Sequence, residues 1–453
     1  MRNKDSDREV TRNPLLQRDG FSPDLPQALQ PKPGLSLGLR LLRYMLRGVR
    51  VGTLDVQWPN GREDRFGGHE RPDLHGVLRI RNDGLIRHVL KNGEVGFGEA
   101  YLAGDWDSPD LARLLQVMYL NEPHYKGPFE RNPIGRFIAW LGHKRRANTK
   151  QGARANIEYH YDLGNEFYKM WLDDTMAYSS GMFLGQDESN RASSGMFLGQ
   201  DESNRATSGM FITPNETLKD AQLNKFRLMF ERLDLRPEHT LLEIGSGWGG
   251  FAIYAAQHSG CKVHSITLSK EQLAEAQQRA AAAGLSDRIQ FELRDYRDVQ
   301  GQYDRVVSIE MYEAVGEEYW PGYFQAIQGA LKPGGRAAIQ GITINPTIFD
   351  EYRRKRDFIQ KYIFPGGMLC PPGHFQDLAG HAGLTPVDAR FYGIDYADTL
   401  AHWDRNVLAV RDKILQQFDE RFLRMWRYYL AYCECGFRVG SIDLMQITLK
   451  RAA

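Results

Sequence analysis

The chain has 453 residues, with 58 Lys or Arg against 57 Asp or Glu, so its net charge is only +1. This length allows more than one hydrophobic core, and the balanced charge argues against bulk binding to a polyanion such as nucleic acid. No uncharged apolar run of about 18 residues is present, so we expect no membrane-spanning helix. The polar N-terminus argues against a secretory signal, and four cysteines without a framework fit a reducing cytoplasm and predict no metal site.

The first 34 residues are charged, contain prolines and lack an apolar period, and we expect them to form a disordered arm. From Leu35 onward, Arg40, Arg43, Arg47 and Arg50 follow helical spacing and share one face. A basic amphipathic helix of this kind can lie on an anionic membrane surface. The same pattern also suits the first helix of a small domain with a solvated face.

A small α+β domain is predicted over residues 35–125. Val51 to Trp58 and Arg62 to Phe66 are predicted as two strands around an Asn-Gly pair, which is typical of a tight hairpin. An apolar helix, Leu111 to Leu120, ends this unit. We expect a basic linker over residues 126–156.

An internal repeat occupies residues 179–206, where the segment SSGMFLGQDESNRA occurs twice without a difference. A partial third copy begins at Thr207. Units this short do not stack into repeat folds, so the pattern indicates a tandem duplication inserted in a loop. Tyr178 precedes only the first copy, which favours the first copy as the one that contributes to a binding site. The spacing to Thr217 instead favours the third copy.

A glycine-rich turn follows the apolar run Thr240 to Ile244. Gly245, Gly247, Gly249 and Gly250 lead from that predicted strand into a helix. Glycines let the backbone turn sharply and approach a ligand, and the helix N-terminus favours a polar or anionic group. A strand-to-helix turn that binds no ligand can have the same sequence. The elements that follow must therefore distinguish a binding turn from a purely structural one.

Strands and helices alternate after this turn, which predicts a doubly wound, mostly parallel α/β sheet over residues 157–453. The ligand of such a sheet lies at the carboxyl ends of its strands. The second strand ends in Thr267-Leu268-Ser269 rather than in the acid of a dinucleotide fold, so the pattern favours an S-adenosylmethionine (SAM) methyltransferase of class I. The predicted later strands are Lys262–Thr267, Ile289–Leu293, Tyr303–Ile309, Arg336–Ile342 and Met445–Lys450.

Five spaced motifs carry a family resemblance that runs from about residue 97 to residue 450. They are Gly245–Gly250, Tyr178–Ser180, His160–Asn165, Asp295–Asp298 and Tyr362–Gly367. With these motifs the chain resembles the cyclopropane-fatty-acyl-phospholipid synthase family, which shares its fold with the mycolic-acid methyltransferases.

The resemblance implies a SAM site. In the family, a Tyr-Ser pair lies near the methionine moiety of SAM, and the glycine turn lies under that moiety. Two later segments run along the ribose and the adenine. By position the implied SAM-binding residues are Tyr178, Ser179, Gly245, Gly247, Trp248, Thr267, Leu268, Gln272, Asp295 and Tyr296.

The resemblance also implies a bound bicarbonate that acts as the base. Glu313, Tyr396 and Ile342 match three of the family's bicarbonate-binding positions. Two positions depart, because the family's His falls on Gln340 and its Cys falls on Ser180, or on Ser208 if the last copy of the repeat occupies the site. Both side chains can still donate hydrogen bonds to an anion, but Gln340 cannot carry a positive charge.

The chemistry of the implied reaction leaves two outcomes open. An alkene that attacks the methyl group of SAM becomes a carbocation, which needs a dry pocket and is stabilised by aromatic rings. Proton loss from the new methyl group closes a cyclopropane ring, and proton loss elsewhere gives C-methylation. We expect the first outcome on unsaturated membrane phospholipid, by an enzyme at the inner, cytoplasmic face of the membrane. The resemblance also allows a homodimer, which the sequence itself does not decide. The alternatives are C-methylation without ring closure, methylation of a soluble small molecule, and a lipid-binding protein that has lost catalysis.

Overall fold

The structure, a computed structural model, describes residues 34–124, 163–184 and 216–453. The predicted arm before residue 34, the predicted linker, the start of the His160–Asn165 motif and the later copies of the repeat lie outside the described residues.

Two sheets organise the described part of the chain. The strands are β1 (Val51–Gln57), β2 (Glu63–Gly67), β3 (Glu70–Ile80), β4 (Trp106–Asp107), β5 (Thr240–Ile244), β6 (Lys262–Thr267), β7 (Ile289–Leu293), β8 (Tyr303–Ile309), β9 (Leu331–Ile344), β10 (Leu384–Phe391) and β11 (Ile442–Arg451). The α-helices are α1 (Leu37–Met45), α2 (Gly84–Leu102), α3 (Leu111–Leu120), α4 (Asn165–Lys169), α5 (Leu218–Leu233), α6 (Gly250–Ser259), α7 (Lys270–Ala282), α8 (Trp320–Ala330), α9 (Pro346–Tyr352), α10 (Phe358–Tyr362), α11 (Pro372–His381), α12 (Gly393–Ala409), α13 (Arg411–Ile414) and α14 (Glu420–Arg438).

The larger sheet has seven strands in the order β10-β11-β9-β8-β5-β6-β7. The strands from β5 to β9 pair in parallel, whereas β11 runs antiparallel to both β9 and β10. The order reverses on either side of β5, which is the topological switch point where such sheets bind ligands. The predicted α/β fold is therefore confirmed, and the glycine turn follows the strand at its switch point.

The buried residues of the larger sheet belong to two separate hydrophobic cores. Leu241 and Val307 contribute to one core, and their chain neighbours Leu242 and Val306 contribute to the other. Successive side chains of a strand point to opposite faces, so both faces must be covered by helices. This explains why β5 and β8 each contain two adjacent buried apolar residues instead of a strict alternation of apolar and polar ones.

The small domain has the sheet order β2-β1-β3-β4, and the predicted hairpin joins β1 to β2. Helix α2 was not predicted, because it contains several glycines and is kinked at Gly93, where φ is 57° and ψ is −128°. Helix α1 ends at Met45, so the prediction that Arg50 shares its basic face is wrong. Arg43 is not a free cation of the basic face either, because its guanidinium forms an ion pair of 2.7 Å with the carboxylate of Asp64 in β2.

The two sheets belong to units that pack directly on each other. Arg424 of α14 donates hydrogen bonds to the carbonyl oxygens of Tyr101 (2.6 Å) and Trp106 (2.8 Å) in the small domain. Glu99 of α2 accepts hydrogen bonds from Lys361 and from the hydroxyl group of Tyr362. Because α10 leads into the Tyr362–Gly367 motif, the small domain contacts one of the five segments that carry the family resemblance.

Among the described residues, no helix has the length and apolar character that crossing a bilayer requires.

Candidate active site

A pocket lies at the carboxyl ends of β5, β6 and β8, where the fold predicts the ligand. It holds about 1020 Å³ of empty space, which includes solvent at its mouth. The pocket contains nine of the ten predicted SAM-binding residues on its wall. These are Tyr178, Ser179, Gly245, Gly247, Trp248, Thr267, Leu268, Gln272 and Tyr296.

The glycine turn is shaped for close approach by a ligand. The amides of Gly245 and Ser246 both donate to the carbonyl oxygen of Ile266, at 3.0 and 2.9 Å, which fixes the turn to the end of β6. Gly245 has a φ of 97° and Gly247 a φ of 49°, a region that L-residues adopt only at a cost. A Cβ at Gly247 would meet nothing within 4 Å, so the space beside it is open for a ligand.

The hydroxyl group of Ser246 is buried on the pocket wall and has no hydrogen-bond partner within the described part of the chain. Buried polar atoms are normally paired, so an unpaired one on a pocket wall indicates a polar ligand group. Together with the open turn, this atom fits the amino and carboxylate groups of SAM.

A local hydrogen-bond network around the end of β6 holds the side of the pocket where the resemblance places the ribose and adenine of SAM. The hydroxyl group of Thr267 donates to the side-chain oxygen of Gln272 (3.0 Å) and accepts from the amide of Ser269 (3.1 Å). Asp295 is the one predicted SAM-binding residue that the structure does not place on the wall. Its carboxylate accepts hydrogen bonds from Arg297, at 2.8 Å from Nε and 2.5 Å from Nη2, so it caps a turn behind Tyr296.

An aromatic shell surrounds the end of the pocket at Tyr178, where the resemblance places the methionine moiety of SAM. The ring of Tyr178 lies 5.3 Å from Tyr168, 5.7 Å from Trp171 and 5.3 Å from Trp403, measured between centroids. Its hydroxyl group shares a hydrogen bond of 2.7 Å with that of Tyr429. The described residues thus place the first copy of the repeat, which begins at Ser179, at the pocket.

Two buried ionisable groups on the wall were missed by sequence reasoning. Lys225 of α5 is fully buried and donates from Nζ to the hydroxyl group of Ser179 at 2.6 Å; burial lowers its pKa to about 8. Glu243 of β5 accepts a hydrogen bond of 2.5 Å from Ser265, and burial raises its pKa to about 8. Neither position carries a motif, because each falls inside an otherwise ordinary helix or strand pattern.

Glu310, which directly follows β8, is the third missed residue and the centre of the polar end of the pocket. Its Oε1 accepts hydrogen bonds from the amide of Ser180 (2.9 Å) and from Nε2 of Gln340 (2.7 Å). Its Oε2 accepts one from the hydroxyl group of Tyr396 (2.6 Å). Burial raises the pKa of Glu310, and these three donors and the charge of Lys225 oppose that rise.

A chain of hydrogen bonds fixes which end of the Gln340 amide faces Glu310. Arg232 donates from Nε to Oε1 of Gln446 at 3.1 Å, and Nε2 of Gln446 donates to Oε1 of Gln340 at 2.8 Å. Gln340 therefore turns its NH₂ group toward Glu310. A polarised chain that starts at a guanidinium strengthens the last donor and favours a negative charge on its acceptor.

Glu313 lies near Glu310 but is held separately. Its Oε1 accepts a hydrogen bond of 2.5 Å from the amide of Ile342, and its Oε2 is buried without a partner among the described residues. Burial, and then the charge of Glu310, raise the pKa of Glu313 to about 8.

The five predicted catalytic residues are thus brought together, but around two carboxyl groups rather than around one open anion site. Ser180, Gln340 and Tyr396 point at Glu310, and Ile342 points at Glu313. The hydroxyl group of Ser180 donates to the carbonyl oxygen of Gly181 (2.8 Å), so its backbone amide is the group that faces the site.

Comparison with known proteins decides the family. The family model described as mycolic acid cyclopropane synthetase matches residues 148–447. The chain belongs to this family. Its members are SAM-dependent methyltransferases that act on lipids, and the protein is an enzyme of this class.

Two curated relatives show how this family member compares with others. The tuberculostearic acid methyltransferase UfaA1 of Mycobacterium tuberculosis is 41% identical over 381 residues, which cover 82% of each chain. The cyclopropane-fatty-acyl-phospholipid synthase of Escherichia coli K12 is 31% identical over 381 residues, covering 83% of this chain and 87% of the relative.

Among solved structures, the mycolic acid cyclopropane synthase CmaA1 in complex with SAH and CTAB superposes with a TM-score of 0.56 and 28% identity. The match covers 66% of this chain and 98% of that chain. The predicted family and the class I methyltransferase fold are both confirmed.

Proposed function

We propose that the protein transfers one carbon from SAM to the double bond of an unsaturated fatty acyl chain of a membrane phospholipid, and that the product is a branched chain rather than a cyclopropane. The observation that carries the proposal is the combination, in one pocket, of a SAM-shaped turn, an aromatic shell and a carboxylate at the far end. Bound SAM supplies an electrophilic methyl group.

Each part of the pocket has a task in this reaction. The aromatic rings around Tyr178 exclude water and stabilise the carbocation left on the acyl chain, a contribution of about 2 kcal/mol for a desolvated cation and ring. Glu310 and the groups hydrogen-bonded to it lie where a proton can be removed. Methyl transfer to an oxygen or nitrogen atom would need no such aromatic protection, because no carbocation forms.

Two observations favour the branched product over ring closure. Identity to the tuberculostearic acid methyltransferase is 41%, against 31% to the cyclopropane synthase over the same number of residues. The departures at Ser180 and Gln340 also fall on the positions that the resemblance assigns to the bicarbonate of the ring-forming enzymes. Ring closure is the second candidate, supported by family membership alone.

Carbon NMR of the product lipid tests the outcome. We expect purified enzyme, incubated with ¹³C-methyl SAM and vesicles of monounsaturated phospholipid, to yield a label on an alkene or methyl-branch carbon. High-field cyclopropane carbons would contradict the branched product and support ring closure. Mass alone is not a sufficient readout, because a ring and a methylene branch both add CH₂.

We further propose that α1 holds the enzyme on the anionic inner face of the membrane. Leu37, Leu41 and Tyr44 follow helical spacing and are 84%, 49% and 69% exposed, an unusual set of apolar side chains on a surface helix. Arg40 and Arg47 are exposed beside them. Apolar side chains flanked by cations match a surface whose headgroups are negative and whose interior is apolar.

Vesicle flotation tests this contact. We expect the Leu37→Glu/Leu41→Glu double variant to lose most of its binding to vesicles that contain anionic phospholipid, because it places two charges where lipid contact needs apolar area. Leu408→Glu is a matched control, since Leu408 is 41% exposed on a helix of the other domain. Equal binding by the double variant and the control would contradict a membrane role for α1.

A further inference from the structure

Three hydrogen-bond donors of the active site converge on a side chain of the protein itself. The amide of Ser180, the NH₂ group of Gln340 and the hydroxyl group of Tyr396 all lie 2.6–2.9 Å from the carboxylate of Glu310. The family resemblance implies a bound bicarbonate at the same three positions. All three groups already donate to Glu310, so an additional anion would have to compete with this carboxylate of the protein for the same donors.

The backbone supports the same interpretation. Glu310 has a φ of 50°, a left-handed conformation that is uncommon for residues other than glycine. Strain of this kind persists only where the surroundings impose it, and it concentrates at functional sites. Here it turns the chain after β8 so that the carboxylate enters the pocket.

We propose that Glu310 replaces bicarbonate as the base, so that this enzyme carries out its reaction without a bound anion. The proposal rests on the proposed function for its substrate, but not on whether the product is a ring or a branch. Oε2 is the accepting atom, because it receives one hydrogen bond where Oε1 receives two, and so keeps a free lone pair.

The electron and proton balance of the step is complete. The π pair of the acyl double bond forms the new carbon–carbon bond to the methyl carbon, and the pair of the broken sulfur–carbon bond stays on sulfur. The chain becomes a carbocation, and a hydride shift from the methylated carbon moves the charge onto that carbon. A C–H bond of the new methyl group then breaks, its pair forms a methylene double bond, and Oε2 of Glu310 takes the proton. No oxidant or reductant is needed.

The charges that face Glu310 suit this task. Lys225 compensates the carboxylate from α5, and Arg232 does so through the two glutamines. Glu243 and Glu313 are the other ionisable groups packed nearby, and burial keeps both of them mostly protonated at neutral pH. Three hydrogen-bond donors and the charge of Lys225 thus favour the anionic form of Glu310, against the burial that raises its pKa.

Two substitutions separate the base from a structural role. Glu310→Gln keeps the size of the side chain and one accepting oxygen, but an NH₂ group replaces Oε2 and cannot take a proton. We expect turnover to fall roughly 100-fold or more, as for loss of a general base. Glu310→Gly relieves the backbone conformation and empties the space of the carboxylate. We expect it to fold, to bind SAH, and to bind formate or bicarbonate in calorimetry, whereas the wild type binds neither.

Turnover in CO₂-depleted buffer gives the decisive comparison. We expect the wild type to be unaffected, and Glu310→Gly to regain turnover in a saturable way as formate or bicarbonate is added. Glu434→Gln is the control for loss of a buried carboxyl group, because Glu434 lies in α14 outside the pocket, bonded to Arg438.

Three outcomes would overturn the proposal. They are a bicarbonate requirement in the wild type, near-normal turnover by Glu310→Gln, and a Glu310→Gly variant that binds SAH but takes up no anion. Anion binding by Glu310→Gly is measured without lipid. This test therefore remains valid even if the substrate is not an unsaturated phospholipid. A wild type that modifies no unsaturated lipid would instead contradict the proposed function.

Discussion

Gly245→Val is expected to lower the affinity for SAM by roughly 100-fold, which corresponds to about 2.7 kcal/mol of lost binding free energy. Gly245 has a φ of 97°, and a Cβ there would lie 3.3 Å from the Cβ of Met311 on the opposite wall of the pocket. A β-branched residue is a genuine outlier at positive φ, so the turn must change shape to accept it. The turn then no longer keeps the shape that leaves the space beside Gly247 open for the ligand. Isothermal calorimetry with SAM and SAH measures the effect.

Gly301→Val provides the matched control. Gly301 has nearly the same backbone conformation, with a φ of 93°, but a Cβ there meets nothing within 4 Å and the residue is not on the pocket wall. We expect both variants to lose stability by a similar amount and only Gly245→Val to lose SAM affinity. If both bound SAM normally, the glycine turn would not be the floor of the SAM site.

The residues that were predicted correctly share a property: their role depends on local backbone geometry or on spacing. The turn at Gly245 was visible because several glycines directly after an apolar run are typical of a tight turn between a strand and a helix. The strands around it were visible because buried parallel strands are continuous apolar runs. The hairpin at β1 and β2 was visible through its Asn-Gly pair. Such features need no knowledge of distant parts of the chain.

The residues that were missed act through contacts between distant segments. Glu310 meets Ser180, Gln340 and Tyr396 from three other parts of the chain, and nothing in its own sequence neighbourhood distinguishes it from an acid at the end of a strand. The burial of Lys225 could not be predicted for the same reason, since a lysine on a helix is normally exposed to solvent. One signal was available for Glu310, namely an acid directly after the fourth predicted strand, at the edge where ligands bind.

The boundaries of α1 and α2 show a different limit. Arginine spacing extended the predicted basic face to Arg50, but the helix ends at Met45 because a tighter turn follows, and α2 was obscured by its glycines. In both cases packing against the small sheet, rather than intrinsic propensity, decides where the helix lies.

Glu313→Ala is expected to lower turnover at least about tenfold while SAM affinity changes by no more than about twofold, that is, by less than about 0.5 kcal/mol. The side chain of Glu313 is not on the wall of the SAM pocket, but it holds the amide of Ile342 at the end of β9, close to Glu310. Its pKa is raised to about 8, so at pH 7 it is mostly a neutral acid. Glu313→Gln should therefore restore most of the turnover, because a neutral amide can accept the same hydrogen bond. Steady-state kinetics of both variants, beside calorimetry with SAH, measure the split.

The pH dependence separates this positioning role from a simple loss of packing. A carboxyl group whose pKa rises from 4.5 to about 8 on folding stabilises the protein fully below pH 4.5, and this contribution is lost as the pH rises to about 8. The melting temperature of the wild type should thus fall relative to that of Glu313→Gln across this range. Turnover of the wild type should also change near pH 8, where a second negative charge appears beside Glu310, and the Gln variant should lack that change. Parallel profiles for the two proteins would mean that Glu313 does not change its charge between pH 4.5 and pH 8, and the assignment of a pKa of about 8 would then be wrong.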